Sequence, residues 1–556
     1  MSYLTRLNII LKNLLVISVS FMMAVAPNYI NSGSSNLNFS TFLTGAYIAV
    51  ALYIFMFLFK VISRYLNEKV ARNIVVSLFD NILNKKNAIV ILTLIMLVCW
   101  IPVLIFLYPG NAINDTWGQF SQYIKMFDGG ILHRGVLSDH HPFFDTLFMG
   151  GIIVPLAHLF HNWKLAFFCY VILQYVLTCL SFSVSVWYLH KKCSISINLT
   201  TVVYSIYCIL PIFPVSAQTI SKDALFSWIY VYLTILLIEV IRTNGSVLSS
   251  KKYLLVLILT IFFVGLTKKV GLYVVILTLV AFLIFLKNSR KYILILFAAI
   301  ALLSFGLTGF IKSELKVVPG GKQEMFSLPF QQTARYMKYH GEDVTKDEKK
   351  VIGKLLDTKN ISKNYIPISA DPVKGFEDRG TTEDYVNYIK VWIKQGIKHP
   401  KTYISATVAM LSGWFSTAEY SPVMDMEWHS QLDTRVMPES VAKREGISQK
   451  FSKRYQEFYD GLYNNRLTGL IVSYSLYAAL LPLIICVVLW NKYDNKWWLI
   501  TVPMILSIVI GCWLAPVSIF LEGRRYLYPV IYTLPILLAI SSSLLPENST
   551  LFTRRK

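Results

Sequence analysis

The chain has 556 residues, of which 55% are hydrophobic and 15% charged, and its mean hydropathy is +0.53. This composition excludes an ordinary soluble globular protein and indicates a polytopic membrane protein. The net charge of +22 does not indicate a nucleic-acid partner, because Lys and Arg gather at the ends of apolar runs and no basic soluble domain accompanies them. The seven cysteines predict no disulfide framework and no metal site.

The first unit, residues 1–87, contains two apolar runs, 9–30 and 41–62, followed by a basic stretch. Each run is long enough to cross a hydrocarbon core of about 30 Å. We interpret the first run as an uncleaved helix and not a secretion signal, because Pro27 follows the small-residue triplet where cleavage would occur.

The second unit, residues 88–311, is interrupted by a polar loop at 109–142 and by an irregular apolar segment at 143–159. That segment contains Pro155 and two adjacent glycines and follows Pro142. If it crossed the membrane, most basic loops after it would face outside, against the positive-inside bias. We therefore predict that it is a juxtamembrane or re-entrant segment that returns to its own side.

The same bias requires the run 403–415 not to cross, and about twelve spans then remain, with both termini cytoplasmic. The loop 109–142 and the polar segment 312–466 face outside, and residues 467–556 form the C-terminal spans. The predicted fold class is mainly α: a polytopic membrane protein of about 12 transmembrane helices with a mixed extracytoplasmic domain at 312–466.

Several basic residues occupy the predicted outer face, where the insertion bias disfavours them. They are Lys222 in TISKDAL, Lys268 and Lys269 in GLTKKVGLYVV, and Arg524 and Arg525 in FLEGRRYLYPV. We expect two spans with a tight outer turn at 269–271, although one long helix over 253–286 is the competing interpretation. Cations held at this interface are expected to bind an anion. Headgroup anchoring, or pairing with Asp223 and Glu522, is the alternative.

The loop 109–142 carries polar groups at two places, Asn114-Asp115 and Asp139-His140-His141. A carboxylate at the membrane surface can act as a general base when an acceptor hydroxyl comes within about 3 Å. Helix capping is the alternative for both aspartates: Asp115 before a helix at 116–127, and Asp139 before one that begins near Pro142. Two adjacent histidines in a loop indicate a metal site only weakly.

In order along the chain, five short elements resemble those of the GT-C membrane glycosyltransferases, the class that includes protein O-mannosyltransferases and lipid A aminoarabinose transferase. The elements are INDTWG, DHHPFFDTLFMGG, SKD, TKKVGLYVV and EGRRYLYPV. The resemblance covers most of residues 88–545 and implies a GT-C-like architecture. The chain departs from the class where Asn114, not a second acid, adjoins Asp115, and where Phe143, not a second proline, follows Pro142.

The resemblance implies inverting transfer of a sugar from a polyprenyl-phosphate donor to an extracytoplasmic acceptor, a cell-envelope glycan or lipid. Asp115 would be the catalytic base, and basic groups would hold the departing lipid phosphate. The implied substrate-binding residues are Asp139, His140, His141, Lys222, Lys268, Lys269, Arg335, Glu522, Arg524 and Arg525. No metal ligand is assigned, and Mg²⁺ or Mn²⁺ as a cofactor stays open.

The late polar domain, residues 312–466, contains a predicted helix at 383–398 whose apolar stripe we expect to lie in the core. The stripe consists of Tyr385, Ile389, Trp392, Ile393 and Ile397. A second, polar helix is predicted over 439–459. For Arg335 and the neighbouring glutamines, a local hydrogen-bonding role is as compatible with the sequence as contact with a donor.

Two other functions fit parts of the sequence. A transporter or flippase of a lipid-linked or anionic substrate would use the same basic residues, but would place ionisable groups at the membrane midplane and show an inverted repeat. An enzyme resembling O-antigen ligases or polymerases would also transfer sugar from a lipid carrier, with Arg and His on a large loop at its centre.

Overall fold

The structure is a computed structural model in which nearly every element is helical. It describes residues 3–33, 37–67, 73–375, 379–418, 437, 441, 443–465, 468–490, 496–514 and 523–545.

The described residues of the first two units contain fourteen α-helices and one pair of short strands. The helices are α1 Tyr3–Ser32, α2 Phe39–Asn67, α3 Ile74–Leu83, α4 Ala88–Phe106, α5 Asn114–Met126, α6 Phe143–Phe160, α7 Trp163–Lys191, α8 Ile197–Ile209, α9 Ile212–Ala217, α10 Lys222–Arg242, α11 Lys251–Thr267, α12 Lys269–Phe285, α13 Arg290–Ile300 and α14 Thr308–Glu314. The strands are β1 Asn111–Ala112 and β2 Thr219–Ile220, which pair in parallel. A π-helical stretch, Ala301–Leu307, joins α13 to α14.

The late polar domain and the C-terminal unit are also helical. Their α-helices are α15 Ser327–Tyr339, α16 Lys346–Ile352, α17 Ile361–Asn364, α18 Asp371–Lys374, α19 Thr382–Lys398, α20 Pro400–Phe415, α21 Gly446–Asn464, α22 Gly469–Val472, α23 Leu481–Trp490, α24 Thr501–Ile508 and α25 Tyr528–Ser543. The mixed composition expected for the late polar domain is not found in its described residues, which are helical apart from two isolated β-bridges, one between Ile366 and Ser369 and one between Val318 and Ser138 of the loop 109–142.

Nine helices within the described ranges are long and apolar enough to cross a membrane, and four shorter apolar helices accompany them. The chain is thus mainly helical with nine candidate membrane spans, as expected for a polytopic membrane protein. The predicted number of about twelve spans is not reached by this criterion. The α19–α20 pair meets the N-terminal unit, since Tyr29 of α1 donates a hydrogen bond to Ser405 of α20.

The predicted helix break is present, but it lies one residue before the expected turn at 269–271, which is instead the first turn of α12. Lys268 has extended backbone angles (φ −154°, ψ 119°) and separates α11 from α12. The two helices pack side by side at the break, where Gly271 lies so close to Phe226 and Val264 that a Cβ would stand within 3.0 Å of both side chains. The single long helix is therefore wrong, and both lysines lie at helix ends.

The segment predicted to turn back is an unbroken helix, α6, long enough to span. It forms a hairpin with the first half of α7, as shown by ring contacts of His158 with Trp163 and of Phe148 with Tyr170. The second half of α7 packs on α4 instead, where Phe182 contacts Trp100. α6 therefore lies beside the N-terminal half of α7, and the C-terminal half of α7 continues beyond it.

The predicted helix at 383–398 is confirmed as α19, which Thr381 caps by accepting a hydrogen bond from the Asp384 amide. The core stripe is only partly correct. Tyr385 is buried against Phe330 and its neighbours, whereas Ile397 is 77% exposed. The helix faces the core through its tyrosines because α15 packs on that side. The second predicted helix is α21, which begins seven residues later than the expected start at residue 439.

Candidate functional site

A two-residue parallel ladder aligns the starts of two helices. Asn111 of β1 lies opposite Thr219 of β2, and each strand leads within two residues into a helix, α5 or α10. Because the strands are parallel and in register, the first turns of both helices lie side by side. Asp115 on α5 and Lys222 on α10 meet for this reason.

Buried side chains hold both strands in place. Gln174 of α7 donates hydrogen bonds to the carbonyls of Ala217 (2.5 Å) and Thr219 (3.0 Å). Arg444 of the late polar domain is buried and donates to the Gly110 carbonyl at 2.6 Å. A charge-assisted hydrogen bond of this kind is stronger than a neutral one. The late polar domain thus helps to fix the loop that leads to Asp115.

Asp115 lies at the centre of an ion-pair network. Its Oδ2 is 3.0 Å from Lys222 Nζ and 2.5 Å from Arg525 Nη2, and its Oδ1 is 3.7 Å from His141 Nε2. Lys222 Nζ also lies 2.6 Å from His141 Nδ1. Because an ammonium group only donates, Nδ1 accepts and the imidazole proton is on Nε2, facing Asp115. Ile113, not Asp115, occupies the N-cap position of α5, so the capping alternative is wrong for Asp115.

A second carboxylate, Asp223, extends the network inward. It is fully buried, and its Oδ1 is 2.5 Å from Lys268 Nζ. Arg525 Nε lies 2.9 Å from Asp223 Oδ2, so one guanidinium joins both carboxylates. Lys268 also lies 4.2 Å from the ring centre of Tyr526, within cation–π range. We call Asp115, Asp223, Lys222, Lys268 and Arg525 the inner charge cluster.

The third carboxylate, Asp139, lies at the exposed margin of the site. Its Oδ2 is 2.9 Å from Lys269 Nζ and 3.0 Å from Lys312 Nζ, and the Lys269 side chain is 48% exposed. Pro142, not Asp139, is the N-cap of α6, so the capping alternative is wrong here too. We call Asp139, Lys269 and Lys312 the rim cluster.

Charges around Asp115 and His141 set their protonation states. Burial by itself would raise the pKa of Asp115, but the positive charges of Arg525 and Lys222 outweigh it and hold this pKa well below its ordinary value. For His141, burial and the nearby Lys222 charge both act against the imidazolium and lower its pKa well below the ordinary value. The site therefore holds an ionised Asp115 beside a neutral His141 at pH 7.

Four helices, α5, α6, α10 and α12, begin at this site, each with thirteen residues or more. The N-terminal end of a helix carries partial positive charge and unpaired backbone amides, and it favours anions. The helix N-termini and the basic side chains thus both attract negative charge, and the site is suited to an anionic group.

Most of the residues singled out from the sequence come together here, and the others lie as follows. His140 is exposed, with its ring centre 4.5 Å from that of His141. Arg524 is half-buried beside Arg525. The guanidinium of Arg335 points elsewhere and donates to the Gly33 carbonyl and the Tyr365 hydroxyl. These contacts give Arg335 a hydrogen-bonding role within the fold, and its contact with a donor stays a prediction. Glu522 lies outside the described residues.

Four residues that the structure places in or near the site have no functional role predicted from the sequence. The sequence predicts Asp223 only as a pairing partner of the basic residues, and it assigns no role to Lys312 or Arg444. Asp145, in the first turn of α6, is fully buried, and neither of its carboxylate oxygens finds a hydrogen-bond partner among the described residues. An acid inside an otherwise apolar run, as in HPFFDTLF, is the signal that could have identified it.

The fold and the site define a polytopic helical membrane protein with charged clusters gathered at helix ends. Residues 132–545 match the family described as "Family of unknown function (DUF6020)", and the chain belongs to this family. The matched segment contains His141, Lys222, Lys268 and Arg525, while Asp115 precedes it. No curated protein and no solved structure matches the chain.

Proposed function

We propose that this protein is a membrane glycosyltransferase of the GT-C type, which transfers a sugar from a polyprenyl-phosphate donor to an extracytoplasmic glycan or lipid. The observation that supports this best is the contact between Asp115 and Arg525, which are 410 residues apart and meet beside Lys222. One carboxylate for proton removal and several cations for a phosphate are what the reaction requires.

The cations would bind the donor phosphate by exchanging partners. In the structure, Arg525 pairs with Asp115, and Lys268 pairs with Asp223. A sugar-linked lipid phosphate carries about one negative charge, and the departing lipid phosphate carries nearly two at neutral pH. Cations that gain interaction as this charge develops stabilise the transition state more than the bound substrate.

The same exchange would activate Asp115. While it is paired with Arg525 and Lys222, its depressed pKa makes it a weak base. When Arg525 turns to the phosphate, Asp115 can accept the proton of the acceptor hydroxyl. The acceptor oxygen then bonds to the anomeric carbon, the bond from that carbon to the phosphate oxygen breaks, and its electron pair leaves with the lipid phosphate. The anomeric configuration is inverted.

The transport alternative has less support. A transporter for an anionic lipid is expected to hold ionisable groups halfway along its spans. Asp115, Lys222 and Asp223 instead lie in the first turns of α5 and α10, and Lys268 lies at the break between α11 and α12. Placement at helix ends fits chemistry at the membrane surface.

The decisive experiment substitutes the proposed base. Mass spectrometry of cell-envelope glycans and lipids from cells with and without the protein would identify the product, and Asp115→Asn would then be compared with wild type. We expect the product to fall by about 10²- to 10⁴-fold, since a general base contributes that much. Asp128→Asn is the matched control, because Asp128 is an exposed carboxylate of the same loop.

Equal membrane levels of both variants must be verified by immunoblot. Full product formation by Asp115→Asn at wild-type levels would refute Asp115 as the base. Loss of product in Asp128→Asn as well would show that the effect does not belong to Asp115.

We further propose that both termini are cytoplasmic and the site is extracytoplasmic. α10 runs from Lys222 at the site to Arg242 at its other end. The end of α7, with Lys191 and Lys192, lies beside that end, since the Tyr188 hydroxyl of α7 donates to Glu239 of α10. The positive-inside bias assigns that end to the cytoplasm. In a cysteine-free background, an impermeant thiol reagent should label Lys346→Cys in intact cells and Lys191→Cys only after permeabilisation. The reverse pattern would invert the topology.

A further inference from the structure

A second polar cluster lies in the late polar domain, where three chain segments meet. His340 directly follows α15, Asp343 ends the next short turn, and His399 separates α19 from α20. One ligand-type atom from each residue lies within 4.8 Å of the other two. The cluster shares no residue with the inner or rim clusters.

The three side chains are already oriented by one another. His399 Nε2 lies 2.8 Å from Asp343 Oδ2, and the two imidazole rings stack with centres 3.8 Å apart. Lys398 Nζ takes the other oxygen, Asp343 Oδ1, at 2.9 Å. Lys398 therefore pairs with one carboxylate oxygen of Asp343, and the other oxygen, Oδ2, faces the histidines.

The cluster rests on a rigid base and remains open to solvent. The ring of Tyr336 is fully buried and contacts both imidazoles, with ring centres 5.7 Å from His340 and 5.3 Å from His399. The side chains of Asp343 and His399 are 40% and 27% exposed, so an ion can reach them.

We propose that His340, Asp343 and His399 bind a divalent transition-metal ion of the zinc type, with water completing the coordination. Two imidazoles and one carboxylate are a common set of three protein ligands for Zn²⁺, at distances of about 2.0–2.2 Å. Coordination requires one imidazole to rotate out of the stack so that both lone pairs converge. The hydrogen bond from His340 Nε2 to Thr402 Oγ1, at 2.9 Å, is the contact that this rotation would exchange for the metal.

A bound ion would join the end of α15 to the α19–α20 junction. Since α20 also contacts α1 through Ser405 and Tyr29, the ion would stabilise the attachment of the late polar domain to the N-terminal unit. Metal binding adds to stability when the folded state binds and the unfolded state does not.

The test uses the full chain, purified in detergent through a tag without histidines and treated with a chelator. We expect isothermal titration with Zn²⁺ to show one bound equivalent and a higher Tm. His340→Gln and His399→Gln should each weaken binding by about tenfold or more and abolish the rise in Tm. The exposed His158→Gln should leave both unchanged.

Cobalt provides a second measurement that needs no variant. Co²⁺ in the wild-type chain should give the visible absorption of a four-coordinate ion, even if a glutamine variant fails to fold. No binding of Zn²⁺ or Co²⁺ by wild type would overturn the proposal. Binding that survives in both glutamine variants would also overturn it, as would binding that is lost in His141→Gln instead.

Discussion

The inner and rim clusters contain the same chemistry in different surroundings. In the inner cluster, Asp223 is fully buried and Lys268 and Arg525 are each 5% exposed, whereas Lys269 at the rim is 48% exposed. Removing one partner of a buried pair leaves an uncompensated charge, while an exposed pair exchanges its partner for water. Adjacent lysines in the sequence, 268 and 269, should therefore differ greatly in what their loss costs.

The largest effect is expected for Asp223→Asn. This change leaves Lys268 buried without its carboxylate and removes one of the two anions beside Arg525. Loss of one partner from a buried ion pair costs about 3–5 kcal/mol. Denaturant unfolding in detergent should show a loss of this size.

The Lys268→Met change and the double variant complete a thermodynamic cycle. Because the double change removes both charges, it should cost less than the sum of the single changes, by about 0.5–3 kcal/mol. Additive losses would mean that Asp223 and Lys268 do not interact, and would remove the energetic distinction between the clusters.

The basic residues of this site could be predicted from the sequence, but the carboxylates that they contact could not. Lys222, Lys268 and Arg525 were identified because cations on the predicted outer face oppose the insertion bias. That argument concerns each residue alone and does not say which carboxylate each one meets. The pairing of Asp115 with Lys222 depends on the β1–β2 ladder, and strands of two residues are too short to leave a periodic signal in the sequence.

The fold shows the same division between local and long-range information. The break at Lys268 and the capped start of α19 follow from residues close in sequence, and both were predicted. The contact of Arg335 with Gly33 joins residues 302 positions apart, and nothing near Arg335 indicates it. The exposed side of α19 was missed for a similar reason, since helical spacing shows that an apolar face exists but not which helix covers it.

A smaller, pH-dependent effect is expected at Asp115, whose side chain is 20% exposed. The folded chain lowers the pKa of Asp115, so ionised Asp115 stabilises the fold above its unfolded pKa of about 3.9. This contribution is lost as the pH falls through the lower, folded pKa. The stability difference between wild type and Asp115→Asn should thus be constant near neutrality and shrink below about pH 4. A difference that grows on acidification would reverse the sign and contradict the pairing.

The smallest effect is expected for Lys269→Ala at the rim. Its ammonium group is near Asp139, but Lys312 Nζ lies 3.0 Å from the same oxygen and remains after the substitution. An exposed ion pair contributes about 0.2–1 kcal/mol and is weakened by salt. The loss of unfolding free energy should fall in this range at low ionic strength and become smaller in high salt. A salt-independent loss as large as that of Asp223→Asn would contradict this prediction. It would show that the exposed and the buried ion pairs contribute equally to stability, so that burial does not distinguish the two clusters.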